Sequence, residues 1–229
     1  MTPDPQLSQD ALRAFIAADE ALTTLHARVV AHLDGDPGHD LGHLHRVALW
    51  TLRLGGAAVD RREAIAAALL HDIVNLPKDS PDRALASTRS AEVARRWLPD
   101  LGFSEAAVGR VADGIRDHSF SRGVTPTEPL GQALQDADRL EAVGVIGLFR
   151  CVSTGARMGA RYFEDDDPWA ESRPLDDRAY SIDHFFTKLL GLAAGMNTAA
   201  GRHEGARRTE YLRHTLAQLA AEIGVDPPL

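Results

Sequence analysis

His71 and Asp72 stand side by side in AALLHDIVNLPKD, where an apolar run ends. Neighbouring residues on a helix point about 100° apart, so an imidazole nitrogen and a carboxylate oxygen can reach one ion from a single turn. Upstream, GHDLGHLHRV carries His39, His43 and His45; downstream, IRDHSFSRG carries His118 and LQDADRLEAVG carries Asp136 and Asp138. One early histidine, the His-Asp pair and one late acid would make a two-histidine, two-carboxylate set. Mixed nitrogen and oxygen donors suit Mn²⁺, Fe²⁺, Co²⁺, Ni²⁺ or Zn²⁺, and the carboxylates admit Mg²⁺. Each piece alone has a plainer reading: a cap, a solvated cluster, or acids favoured by a helix dipole. Their order, each at the edge of an apolar helix, points to a metal site. Asp136 and Asp138 lie about 200° apart on a helix and cannot both face one ion; spacing alone does not choose between them.

The elements that must position these residues are nearly all helical. Apolar residues recur at spacings of three and four, with Ala, Leu, Arg and Glu dominant. The pattern predicts helices over about 8–33, 41–55, 60–74, 84–98, 104–118, 128–138, 140–153, 180–195 and 202–223. Asp60 with Glu63 has capping-box spacing, and Ser104 is a natural N-cap. Asp40 can cap the second helix or stand behind its histidines. Residues 155–178, rich in Gly, Asp and Pro, read as a long irregular excursion. No strand, repeat or linker stands out. The expected fold is all-α: one helical domain over 1–229, with a motif core at about 38–153 and C-terminal helices at about 180–223 packed on it.

Composition narrows the function classes. The formal charge of −8 disfavours nucleic acid and anionic membranes as partners. No apolar run approaches the roughly 18 residues of a membrane span. The start, MTPDPQLSQD, has no signal-peptide pattern, and the single Cys151 suits a reducing, cytoplasmic compartment. Lys78 and Lys188 are the only lysines. Lys78 follows the His-Asp pair in a loop that should open over the site. The acidic Asp183 could pair with Lys188 at the surface, at little energetic gain.

The motifs in this order resemble the HD-domain metal-dependent phosphohydrolases, whose name comes from a pair like His71-Asp72. The likeness rests on HDLGHLHRV, AALLHDIV, IRDHSF, QDADRLEAVGVIG and SIDHFFTKLLGLAAGMNT, and covers most of residues 38–215. It implies four metal ligands: His43 of the His-x-x-Arg-Val element, His71, Asp72, and Asp138 of Ala-Asp-Arg-Leu, with His39 and Asp40 behind them. A phosphate substrate needs cations around it, and Arg46, Lys78 and His118 stand nearest the ligand motifs in sequence; the resemblance implies a phosphate-contact or acid/base role for His118, and Lys78 is the other catalytic candidate. The divalent ion would be manganese first, with Mg²⁺, Fe²⁺, Co²⁺, Ni²⁺ or Zn²⁺ as substitutes.

The subgroup most similar to this chain hydrolyses nucleoside triphosphates to monophosphates and pyrophosphate. The expected partner is therefore a small phosphate substrate, a nucleotide, and a homodimer is compatible with the reading. A phosphomonoesterase acting on a nucleoside monophosphate or small phosphate ester is the alternative within the class. A nucleotide-sensing module without catalysis is the alternative outside it; such a module often loses a ligand, and this chain keeps all four. A relative of the HD-type di-iron oxygenases would need extra histidines between Asp72 and Asp138, where only His118 stands.

Overall fold

A computed structural model describes residues 7–33, 40–76, 82–119 and 122–228. The chain is all-α: ten α-helices are described, with short 3-10 turns and no strand among the described residues. It divides into two compact units, residues 1–138 and 139–229.

The first unit is built around a helix that is apolar on every side. Helix α4 (Arg61–Leu70) buries every residue from Ala64 to Leu70 completely. Small alanines let its neighbours approach closely: α2 (Glu20–Val30), α3 (Leu41–Gly55), α5 (Ala86–Trp97) and α6 (Glu105–Asp117) all pack against it. Asp60 caps α4 by accepting the Glu63 N–H at 3.0 Å. The Glu63 carboxylate does not return to the cap. It takes a two-pronged bond from Arg110 on α6, at 2.6 and 2.9 Å, and so ties the two helices together.

The helix expected over 8–33 is two helices, α1 (Gln9–Ala18) and α2. Asp19 breaks it. Its backbone is extended, and its carboxylate accepts the Leu22 N–H at 3.1 Å, starting α2 afresh. The helix expected to 74 stops at Leu70, and 3-10 residues 83–85 precede α5. Helix α6 begins where Ser104 predicts. Helix α7 (Pro129–Leu140) crosses α6 closely at Gly114 and Gly131. A Cβ on Gly131 would sit 2.9 Å from the Pro126 ring, so a larger residue there would press on the loop that leads into α7.

In the second unit, α8 (Gly144–Arg157) is followed by an irregular stretch to residue 182. The excursion is not loose. Arg161 and Tyr180 form a parallel bridge, and the Trp169 indole donates to the Asp226 carbonyl at 2.9 Å. The expected helix over 180–195 is only α9 (Asp183–Thr187) and a 3-10 stretch, Leu189–Gly195. Lys188 lies between them with non-helical backbone. Asp183 is fully buried, and Arg173 grips its carboxylate at 2.5 and 2.9 Å. It is therefore no exposed ion pair; it anchors the excursion. Helix α10 (Ala199–Ile223) starts earlier than expected, because the Thr198 hydroxyl accepts the Gly201 N–H at 2.8 Å.

Candidate metal centre

Two helices of the first unit end in the same way. Helix α4 stops at His71, and its Nδ1 donates to the Ala68 carbonyl at 2.8 Å. Helix α6 stops at His118, and its Nδ1 donates to the Ile115 carbonyl at 2.6 Å. Carbonyls at a helix C-terminus lack intrahelical partners, and the ring three residues on supplies one. Since a carbonyl only accepts, the proton sits on Nδ1 in each neutral ring. The Nε2 lone pair of each then points away from its helix. For these histidines, the capping role and the site role are one arrangement.

Helix α3 brings His43 to the same point. Asp40 accepts the His43 N–H at 2.7 Å, which caps α3 and fixes the turn that carries the imidazole. His43 Nε2 lies 3.2 Å from His71 Nε2. Asp138, on α7, places Oδ1 3.7 Å from His43 Nε2 and 3.9 Å from His71 Nε2. Asp72 places Oδ2 3.5 Å from His71 Nε2, and its other oxygen lies 3.6 Å from His118 Nε2. The His71 and His118 rings meet edge to face, with centroids 4.9 Å apart. Five residues named from the motifs thus converge. Their donor atoms form two overlapping groups, His43/His71/Asp138 and His71/Asp72/His118, each able to hold an ion. Asp136 is fully buried, and Asp138 turns its carboxylate to the histidines. Arg46 folds back along α3, with its guanidinium over Gly42. His39 and Lys78 lie outside the described residues.

Comparison with known proteins bears on this arrangement. Residues 40–143 match the family model for the HD domain. The YpgQ protein of Bacillus subtilis is 33% identical over 199 residues, which is 84% of this chain and 89% of the relative. The chain belongs to the HD-domain family. A crystal structure of B. subtilis YpgQ in complex with ADP superimposes with a TM-score of 0.68 at 28% identity, covering 89% of this chain and 98% of that one. An HD-superfamily hydrolase from Bacillus thuringiensis gives 0.67 at 28% identity, covering 88% and 96%. The protein is thus a metal-dependent hydrolase of HD type.

The electrostatics of the HD centre fit a divalent cation. His71 is completely buried, and burial first, then His118 and His43, push its pKa down to about 4 against the pull of Asp72 and Asp138. It is therefore neutral at physiological pH, the form that ligates metal. Burial works against charge on Asp138, yet His71, His43 and His118 together hold its carboxyl below the usual range. An ionised carboxylate and a neutral imidazole are the donor types such an ion needs. His118 behaves oppositely. Burial again disfavours its charged form, but the Asp72 carboxylate 3.6 Å away, with Asp138, outweighs burial and raises its pKa. Asp72 and Asp138 keep 21% and 28% of their side chains exposed while the histidines are sealed, so the centre opens on its acidic side.

Two supports of the centre carry no motif. Gln135, 1% exposed, donates from Nε2 to the Asp117 carbonyl at 3.0 Å and the Val124 carbonyl at 2.9 Å, lashing α7 to the chain on both sides of His118. Ser90 Oγ accepts the Val74 N–H at 3.1 Å and holds the turn after His71-Asp72. A glutamine one turn before Asp138 is a weak signal, because only α7's placement makes it meaningful.

Proposed function

We propose that this protein is a nucleotide phosphohydrolase that cleaves (deoxy)nucleoside triphosphates to monophosphate and pyrophosphate. His43, His71, Asp72 and Asp138 would hold one divalent ion, manganese first. The observation that supports the reading is that two partly open carboxylates each lie within 4.0 Å of both buried imidazoles, His43 and His71. The ADP complex of the B. subtilis relative supports a nucleotide as substrate. A bound divalent ion supplies Lewis-acid chemistry, offsetting phosphate charge and activating water.

The chain's own residues then have distinct tasks. The Ala68 and Ile115 carbonyls keep the rings from turning. His118, whose pKa Asp72 raises, carries a proton beside the partly exposed Asp72 and delivers it to the leaving group or bonds a phosphate oxygen. Arg46 and Lys78 are assigned to phosphate. The reading treats residues 1–229 as one working domain. Among the described residues no helix is long and apolar enough to cross a membrane. A cytoplasmic location, suggested by the single Cys151, belongs to the same proposal.

The test is product identification. Metal-loaded protein, screened against nucleoside triphosphates with Mn²⁺, Mg²⁺, Co²⁺ and Ni²⁺, should release pyrophosphate. Release of orthophosphate alone would make it a phosphomonoesterase. Binding without hydrolysis would make it a sensor.

A further inference from the structure

A cavity of about 280 Å³ adjoins the metal centre and shares Asp72 with it. Leu33, Leu44, Ile73 and Val74 give it apolar walls, while His32 and Asn75 add polar edges. Whole small-molecule sites run to about 300–1,000 Å³ and combine apolar walls with a few fixed polar groups. This one has that character at the size of part of a ligand. His32 is oriented: its Nδ1 donates to the Arg28 carbonyl at 2.7 Å, and its ring stands edge-on to Trp97, with centroids 4.8 Å apart. In the neutral ring, Nε2 is then an acceptor.

We infer that this cavity is the nucleoside subsite, with the base between the apolar walls and an N–H of the base donating to His32 Nε2. The inference rests on the proposed nucleotide reading and gives it a direction. Cleavage that yields a monophosphate and pyrophosphate occurs at the α-phosphorus, one ester bond from the nucleoside. The nucleoside must therefore sit against the metal ligands, and Asp72 belongs to both places. A flat, apolar-faced ring with N–H groups on its rim matches these walls and this acceptor. Among the described lining residues no Lys or Arg stands ready for a third phosphate.

The test uses the full-length, metal-loaded protein and two readouts: KM for a nucleoside triphosphate, and the dissociation constant of the corresponding phosphate-free deoxynucleoside. Leu33→Trp fills the cavity from the end of α2. It should raise both constants about tenfold or more, the scale of a lost apolar pocket contact. His32→Phe keeps a ring beside Trp97 but loses the acceptor, and should raise both about three- to tenfold. Metal content and melting temperature should stay at wild-type values. The inference is overturned if neither variant moves either constant, or if both lower metal content in step with activity. If the protein hydrolyses no nucleotide, the proposed activity fails, but deoxynucleoside binding that Leu33→Trp weakens would leave the subsite standing. Absence of both hydrolysis and nucleoside binding would remove both.

Discussion

Helices α4 and α6 end alike and behave differently. Each finishes in a histidine whose Nδ1 caps its own helix and whose Nε2 faces Asp72. At the α4 end, His71 is packed against His43 and His118, and burial among imidazoles drives its pKa down to about 4. At the α6 end, burial is as complete, yet the Asp72 carboxylate 3.6 Å from Nε2 raises the pKa of His118. The same covalent group on the same backbone device thus holds a proton less readily in one place and more readily in the other. The difference comes from the second imidazole that His71 Nε2 meets, His43 Nε2 at 3.2 Å, which no motif states.

The largest effect should follow from removing the group both ends share. Asp72→Ala should reduce metal-dependent hydrolysis to background while circular dichroism still reports an all-helical protein. Wild-type turnover at ordinary metal concentrations would make the His-Asp pair structural. Next comes the α6 end. His118→Ala should lower turnover by roughly 10²–10⁴, the scale of a positioned acid or base, measured as kcat at saturating substrate and metal.

A smaller effect is expected at the strap between the ends. Gln135→Leu leaves two carbonyls without their donor and should cost about 1–3 kcal/mol by denaturant unfolding. Turnover should fall with little change in metal content, because the chain around His118 loosens first. A loss of metal with no loss of stability would place the strap's role at α7 instead.

The subtlest contrast is in pH. In metal-free protein, the lowered pKa of His71 means that the unfolded chain binds more protons between its ordinary 6.5 and about 4. Its contribution to stability is present above 6.5 and is lost as pH falls through that window. The raised pKa of His118 gives the opposite sign: its contribution is present below 6.5 and is lost as pH rises through the folded value. Melting temperature against pH should therefore change in opposite directions for His71→Gln and His118→Gln, relative to wild type. Parallel curves would erase the distinction between the two ends.

What could be read from the chain follows the range of the forces involved. Ser104 and the stretch 41–55 announce α6 and α3 because caps and apolar spacing are local. The break at Asp19 was equally local but was masked by an apolar stripe running through both helices, with Leu12, Leu22, Leu25 and Val29 all buried. The 180–195 segment looked helical by composition. In the structure, Arg173 on Asp183 and the non-helical Lys188 divide it. At the site, spacing left Asp136 and Asp138 equal; the resemblance favoured Asp138, and the fold of α7 brings its Oδ1 to 3.7 Å from His43 Nε2. Gln135 was invisible for the same reason: its partners lie 11 and 18 residues away.

The division of labour between the two helix ends is tested most directly by metal content per chain, measured side by side for wild type, His71→Ala and His118→Ala. The expected values are one ion, none and one. Two ions in wild type, or an empty His118→Ala protein, would make His118 a ligand and contradict the assignment.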